Sequence, residues 1–277
     1  MRTALALDIG GSGVRAARVG PEGVRGPVER RPLDAALPQG EVVRRLVEAL
    51  AALAPAGDAG VGVSFPSFLD DRGRVGWCLN LPGLDGVDLR SALAPAAGGL
   101  PVRPIPDLAA AALAEARLGA GRGVERFLCV ALGTGVNAAM TVGGRLLETA
   151  VGCLGDAGHV SVEPDAGPPC ACGGVGCLEA IASGPALTRA GHTPEALARA
   201  GRALGRAIAA WSALLWPERV AVGGGVAAVW GEAILEPARA ELLRVGASYI
   251  VGRIELVPAV LGPGAALTGA GLAVLES

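Results

Sequence analysis

TALALDIGGSGVRAARV (residues 3–19) is the stretch on which the rest of the chain turns. An apolar run ends at Asp8, a glycine-rich turn follows at Gly10, Gly11, Ser12 and Gly13, and apolar residues resume from Val14 to Val19. No capped run with a 3.6-residue period precedes Gly20 and Pro21, so the segment reads as strand, turn and strand. A Rossmann or P-loop turn would instead feed a helix N-terminus. The motif has an echo: GSGVRAA at 11–17 recurs as GTGVNAA at 133–139, with five of seven positions identical and one Ser/Thr exchange. Two such units in the two halves predict duplicated α/β lobes that face a shared cleft.

The intervening sequence alternates helix and strand patterns. Residues 41–53 place Val42, Val43, Leu46, Val47, Leu50 and Leu53 on one helical face. Strands are predicted at 60–65 and 101–105, the second ending at Pro106 and Asp107, with an alanine-rich helix over 108–118. Thr193 and Pro194 start a long helix that runs to Trp216. A strand at 220–222 enters Gly223, Gly224 and Gly225, and a further helix covers 229–245. This alternation is the mark of an α/β protein. The lobes are expected to comprise residues 1–107 plus 265–277, and 108–264.

The 277 residues are 51% hydrophobic and 18% charged, with a formal charge of −2, which leaves no basic run to track a nucleic acid backbone. Every one of the 24 basic residues is arginine. Without lysine there is no Walker-type phosphate loop, no protein-kinase phosphate-pairing lysine and no Schiff-base chemistry. The uncharged stretches 127–144 and 256–275 are broken by glycine, proline or polar residues and read as pieces of a soluble core rather than membrane spans. Only residues 4–7 separate Arg2 from Asp8, too few for the apolar region of a signal peptide, so a cytoplasmic protein is expected.

Cys170, Cys172 and Cys177 lie within eight residues, spaced by glycines, with His159 eleven residues upstream. Three thiolates and one imidazole suit a tetrahedral structural zinc; the alternative is a disulfide and a spare thiol. Cys78, Cys129 and Cys153 sit among apolar neighbours and read as core. His192 reads as surface. The glycine clusters at Gly10–Gly13, Gly133–Gly135 and Gly223–Gly225 are either tight turns or backbone cradles for phosphates. Asp8 is a candidate ligand to a metal-bound water, and a nucleotide held by backbone and Mg²⁺ suits a chain without lysine. Asp107 is either a helix N-cap or a general base at the mouth of a cleft.

In this order the pieces resemble the ROK family (repressors, open reading frames and sugar kinases), with its two-lobed actin-like, duplicated ribonuclease H-like ATPase fold and interlobe cleft. The resemblance rests on Asp8-Ile9-Gly10-Gly11-Ser12, on Leu132-Gly133-Thr134-Gly135, and on Gly158-His159 with the cysteine motif running into Leu178-Glu179. It implies an ATP-dependent hexokinase of glucokinase type that uses ATP, Mg²⁺ and a structural Zn²⁺. Asp107 would take the proton of the sugar 6-hydroxyl. Ser67, Asn80, Asp156, His159 and Glu179 would surround the sugar, while Asp8, Gly10, Gly11, Ser12, Gly13, Gly133, Thr134, Gly135, Gly223, Gly224 and Gly225 would serve the nucleotide. His159 would complete the zinc site with Cys170, Cys172 and Cys177. The substrate could be glucose or a related sugar such as an N-acetylhexosamine, and a homodimer or homotetramer is implied.

Several positions depart from the family pattern. Pro106 stands where an asparagine usually binds sugar, and Asp156 where a glutamate is usual. Ser67 replaces a glycine, and Ser12-Gly13 replaces threonine followed by lysine or asparagine. The altered sugar shell predicts weak or relaxed use of glucose. With Asp8 so close to Met1, no helix-turn-helix domain is expected, nor DNA binding. The rival reading is a weakly active or non-catalytic sugar or nucleotide sensor on the same fold. A zinc hydrolase is a third, which four protein ligands would exclude.

Overall fold

The structure is a computed structural model that describes residues 2–149 and 153–276. In chain order the elements are β1 (Ala4–Gly10), β2 (Gly13–Gly20), β3 (Gly23–Pro32), α1 (Gln39–Ala51), β4 (Val61–Phe65), α2 (Leu89–Leu93), β5 (Val102–Pro106) and α3 (Asp107–Leu118). There follow β6 (Arg126–Leu132), β7 (Val136–Val142), β8 (Arg145–Leu146), α4 (Leu178–Ala182), α5 (Gly184–Arg189), α6 (Pro194–Leu215) and β9 (Arg219–Gly223). The last elements are α7 (Gly225–Val245), α8 (Ser248–Val251), β10 (Glu255–Pro258) and α9 (Ala265–Leu275).

These elements form two compact units. The first holds the described residues up to Leu118, then 148, 149 and 153, and 263–276; the second holds 119–147 and 154–262. Their sheets have one topology. The order is β3-β2-β1-β4-β5 in the first and β8-β7-β6-β9-β10 in the second. In each, a three-stranded antiparallel meander continues into two strands parallel to its first member. The echo between residues 11–17 and 133–139 therefore falls on equivalent turns, β1–β2 and β6–β7.

Each unit has its own apolar core. In the first, Leu5, Leu7, Val61, Val63 and Phe65 of the sheet meet Val42, Leu46 and Leu50 of α1. In the second, Leu128, Val130, Val220 and Val222 join Leu204, Ile208 and Trp211 of α6. Full burial of side chains this size stabilises by about 1.5–3 kcal/mol each. The Thr193 hydroxyl caps α6 by accepting the Ala196 amide at 3.2 Å, and Trp216 ends it in the left-handed region at φ 48°.

The first unit extends further than the sequence suggested, because α3 belongs to it rather than opening the second. Helix α9 packs along α3, and a β-carbon on Gly269 would stand 1.7 Å from the Ala110 carbonyl oxygen. Only glycine permits that approach, and a one-dimensional pattern does not show it. Helix α7 also starts earlier than expected, at Gly225 rather than 229, and is interrupted at Gly231. His192 is half-buried, not a plain surface residue, and stacks on Trp230 with ring centroids 5.3 Å apart. Cys78, Cys129 and Cys153 are buried as expected. The uncharged stretches become β6–turn–β7 and β10–turn–α9, and among the described residues no helix is long and apolar enough to cross a membrane.

Candidate active site

In the first unit the parallel register sets Asp8 of β1 beside Ser64 of β4, and Ser64 beside Ile105 of β5. The candidate carboxylates thus emerge at the carboxyl ends of parallel strands, where open α/β sheets bind ligands. Asp8 is buried and fully engaged: the Ser64 hydroxyl donates to Oδ1 at 2.7 Å, and Arg15 Nε donates to Oδ2 at 3.0 Å, with Nη2 on the same oxygen. Asp8, Gly10, Ser12 and Gly13 line a cavity of about 570 Å³ together with Arg15, Arg30 and Arg31. No reading of the sequence singled out these arginines. The signal was there in principle, since Arg15 and Arg30 fall opposite each other once β2 and β3 are paired.

Asp107 is the first residue of α3, immediately after β5, and its Oδ1 accepts the Leu108 amide at 2.6 Å. Burial pushes its carboxyl up to about 6; the Leu108 hydrogen bond acts in the opposite sense, and the charge of Asp8 adds to the rise. This bond goes to the adjacent amide rather than to the N2 or N3 amide that an N-cap accepts, and the buried carboxyl remains a candidate base. Pro106 ends β5 in register with Phe65. Asn80 is exposed and lies against Gly11, where a β-carbon would stand 3.0 Å from its own. The Ser67 hydroxyl is committed to the Trp77 carbonyl at 2.9 Å.

In the second unit the structure brings together two of the three glycine clusters. The Gly133–Gly135 turn closes on itself through a 2.9 Å amide-to-carbonyl bond, and Gly184 donates to the Gly133 carbonyl at 2.8 Å. Gly224 sits at φ 90°, where a β-carbon would come within 2.3 Å of the Leu132 carbonyl oxygen, so glycine is required there on two counts. Gly133, Thr134 and Gly225 line a cavity of about 800 Å³ with Pro185, Thr188, Arg189 and Val226, none of the latter four foreseen. Gly135, Gly223 and Gly224 lie outside that lining.

Glu179 is in the first turn of α4, and its Oε2 accepts the Val136 amide at 2.9 Å, just past this glycine turn. Asn137, also unforeseen, accepts the Ala157 amide at 3.0 Å and so holds the turn that carries His159. Asp156 is largely exposed, its Oδ2 3.5 Å from His159 Nε2.

His159, Cys170, Cys172 and Cys177 offer ligand atoms that lie within 4.8 Å of one another. The Cys172 and Cys177 sulfurs are 3.6 Å apart, and Cys170 Sγ is 3.5 Å from His159 Nδ1. A tetrahedral zinc with its usual bond lengths spaces such atoms roughly 3.6–3.8 Å apart. The residues therefore fit the ion, and all six cysteines are free thiols, unlike the disulfide alternative. Gly176, at φ 66° with a β-carbon position only 2.0 Å from the Glu163 carbonyl oxygen, lets the loop close. Burial, reinforced by the adjoining sulfurs, pushes the Cys177 thiol up to about 12, whereas the Gly174 amide lowers that of exposed Cys172. The loop is tied to α6 by Glu163, which meets Arg199 at 2.6 Å and Arg206 at 3.3 Å.

The fold has counterparts among known proteins. A family model described as the ROK family matches residues 4–276. A glucokinase of Thermotoga maritima is 31% identical over 274 residues, covering 85% of this chain and 86% of its own. The ROK hexokinase from Thermus thermophilus superposes with a TM-score of 0.83 at 30% identity, covering 99% of this chain and 100% of its own. A ROK glucokinase from Streptomyces griseus, solved with glucose and AMPPNP, superposes at 0.79 with 27% identity and the same coverage.

Proposed function

The chain belongs to the ROK family, and on that premise we propose that it is an ATP-dependent hexose kinase acting at the 6-hydroxyl. The observation that carries this reading is Asp107, a carboxyl at a strand end whose pKa is raised to about 6. A general base works best with a pKa near the operating pH. Asp107 accepts the proton of the 6-hydroxyl as that oxygen attacks the terminal phosphorus of the donor in line. Phosphoryl transfer needs little more than positioning and charge neutralisation, which suits a chain without lysine.

The nucleotide belongs to the glycine turns: Gly10–Gly13 beside Asp8, and Gly133–Gly135 with Gly223–Gly225. Mg²⁺ binds through one or two carboxylates together with substrate phosphates. Asp8, the single carboxylate lining its cavity, would hold a water on that ion, which would neutralise phosphate charge. Zinc would be held by His159, Cys170, Cys172 and Cys177 in a structural role. Four protein ligands leave no open position for hydrolysis. Ser67, Asn80, Asp156, His159 and Glu179 are proposed to surround the sugar, with Ser67 already committed to the Trp77 carbonyl.

A weakly active sensor is the second reading, and Pro106 favours it, because its side chain offers a sugar no hydrogen bond. ADP release measured across a panel of hexoses separates the two. Sugar-dependent release supports the kinase; tight sugar binding without release supports the sensor.

A further inference from the structure

A chain without lysine would be expected to leave its phosphate loop without a cation, yet three arginines line the cavity at this one. Arg15, Arg30 and Arg31 line the same cavity as Gly10, Ser12 and Gly13, against the single carboxylate of Asp8. Strands β2 and β3 pair antiparallel with Arg15 directly opposite Arg30, so both side chains leave one face of the sheet.

The three are not equivalent. Arg15 is fixed by Asp8 and by the Pro263 carbonyl, to which it donates at 2.6 Å. Arg31 is balanced by Glu29 at 3.3 Å and donates to the Arg30 carbonyl at 2.9 Å. Arg30 is exposed, and its guanidinium makes no hydrogen bond or ion pair among the described residues. Like charges directly opposite on neighbouring strands repel. The pair becomes favourable once a polyanion lies between them, and the planar guanidinium fork matches phosphate oxygens in a bidentate manner.

We propose that Arg30, together with the preorganised Arg15, binds the phosphate chain of the phosphoryl donor. The inference rests on the kinase reading above and adds to it the residues that supply positive charge in place of lysine. The chemistry recognised is a phosphate chain, from a nucleoside triphosphate or from inorganic polyphosphate.

The test is Arg30→Gln, with Arg122→Gln as a control that removes the same charge from an exposed position of the other unit. ATP and polyphosphate are varied separately at saturating sugar, and inorganic tripolyphosphate is titrated calorimetrically. Losing a charged hydrogen bond should raise the donor KM and weaken tripolyphosphate binding by roughly tenfold to a hundredfold, with the sugar KM within twofold of wild type. The donor whose KM moves identifies the source of the phosphate chain. Unchanged donor KM and tripolyphosphate affinity in an active enzyme would overturn this inference and leave the kinase reading intact. An equal loss in Arg122→Gln would also overturn it, as an effect of net charge alone. A wild type without sugar-dependent turnover would instead sink the kinase reading, and the tripolyphosphate titration would then decide this inference by itself.

Discussion

The Glu179 carboxylate accepts the Val136 amide at 2.9 Å, joining the helix that follows the cysteine motif to the strand that follows the second glycine turn. The thiol cluster and this turn are thereby mechanically linked. Glu179→Ala leaves a partly buried amide without its charged acceptor, a loss of about 1.5–3 kcal/mol before water compensates. The melting temperature should fall by several degrees, and Glu179→Gln, which keeps an acceptor oxygen, should recover most of it. An unchanged melting curve for Glu179→Ala would show that the contact contributes nothing.

Asp107→Asn should reduce turnover by roughly 10²–10⁴, the range for loss of a general base, without loss of fold. Its raised carboxyl also sets the pH dependence: kcat/KM should fall tenfold per pH unit below about 6. Stability moves the other way. A pKa raised by folding favours the protonated fold, so the contribution of Asp107 is greatest at acid pH and is lost as pH rises through about 6. The Asn variant should therefore gain over wild type above that pH and converge with it toward pH 4. Turnover near that of wild type would reject the assignment.

Metal analysis of protein purified without chelator should give about one zinc per chain, as a closed four-ligand site requires. Cys172→Ser should lower both metal content and melting temperature, since site assembly and folding share their free energy. A metal-free preparation that melts as high as the metal-containing protein would refute the site.

Pro106→Asn restores a side chain that can hydrogen-bond where β5 ends. If that position faces the sugar, glucose KM should fall roughly tenfold, the worth of about one neutral hydrogen bond. The proline ring also restrains the backbone just before Asp107, so kcat reports separately on the base. Glucose kinetics unchanged in both parameters would show that another residue serves this part of the sugar.

The duplicated strand–turn–strand motif, the alternating elements and the cysteine spacing were all legible in the chain, because each is encoded by local periodicity or short-range spacing. Helix α6 was legible too, through its Thr193-Pro194 start. What could not be read were the relations that depend on long-range pairing. Sheet register sets Arg15 opposite Arg30 and Ser64 beside Asp8, residues fifteen and fifty-six positions apart. The contact of Gly269 with Ala110 assigns α3 to the first unit. The raised Asp107 carboxyl arises from burial and from a second carboxylate on another strand. Local pattern reports what a segment prefers, whereas charge, desolvation and close backbone approach depend on which segments meet, and that is settled only when the sheets and helices pack.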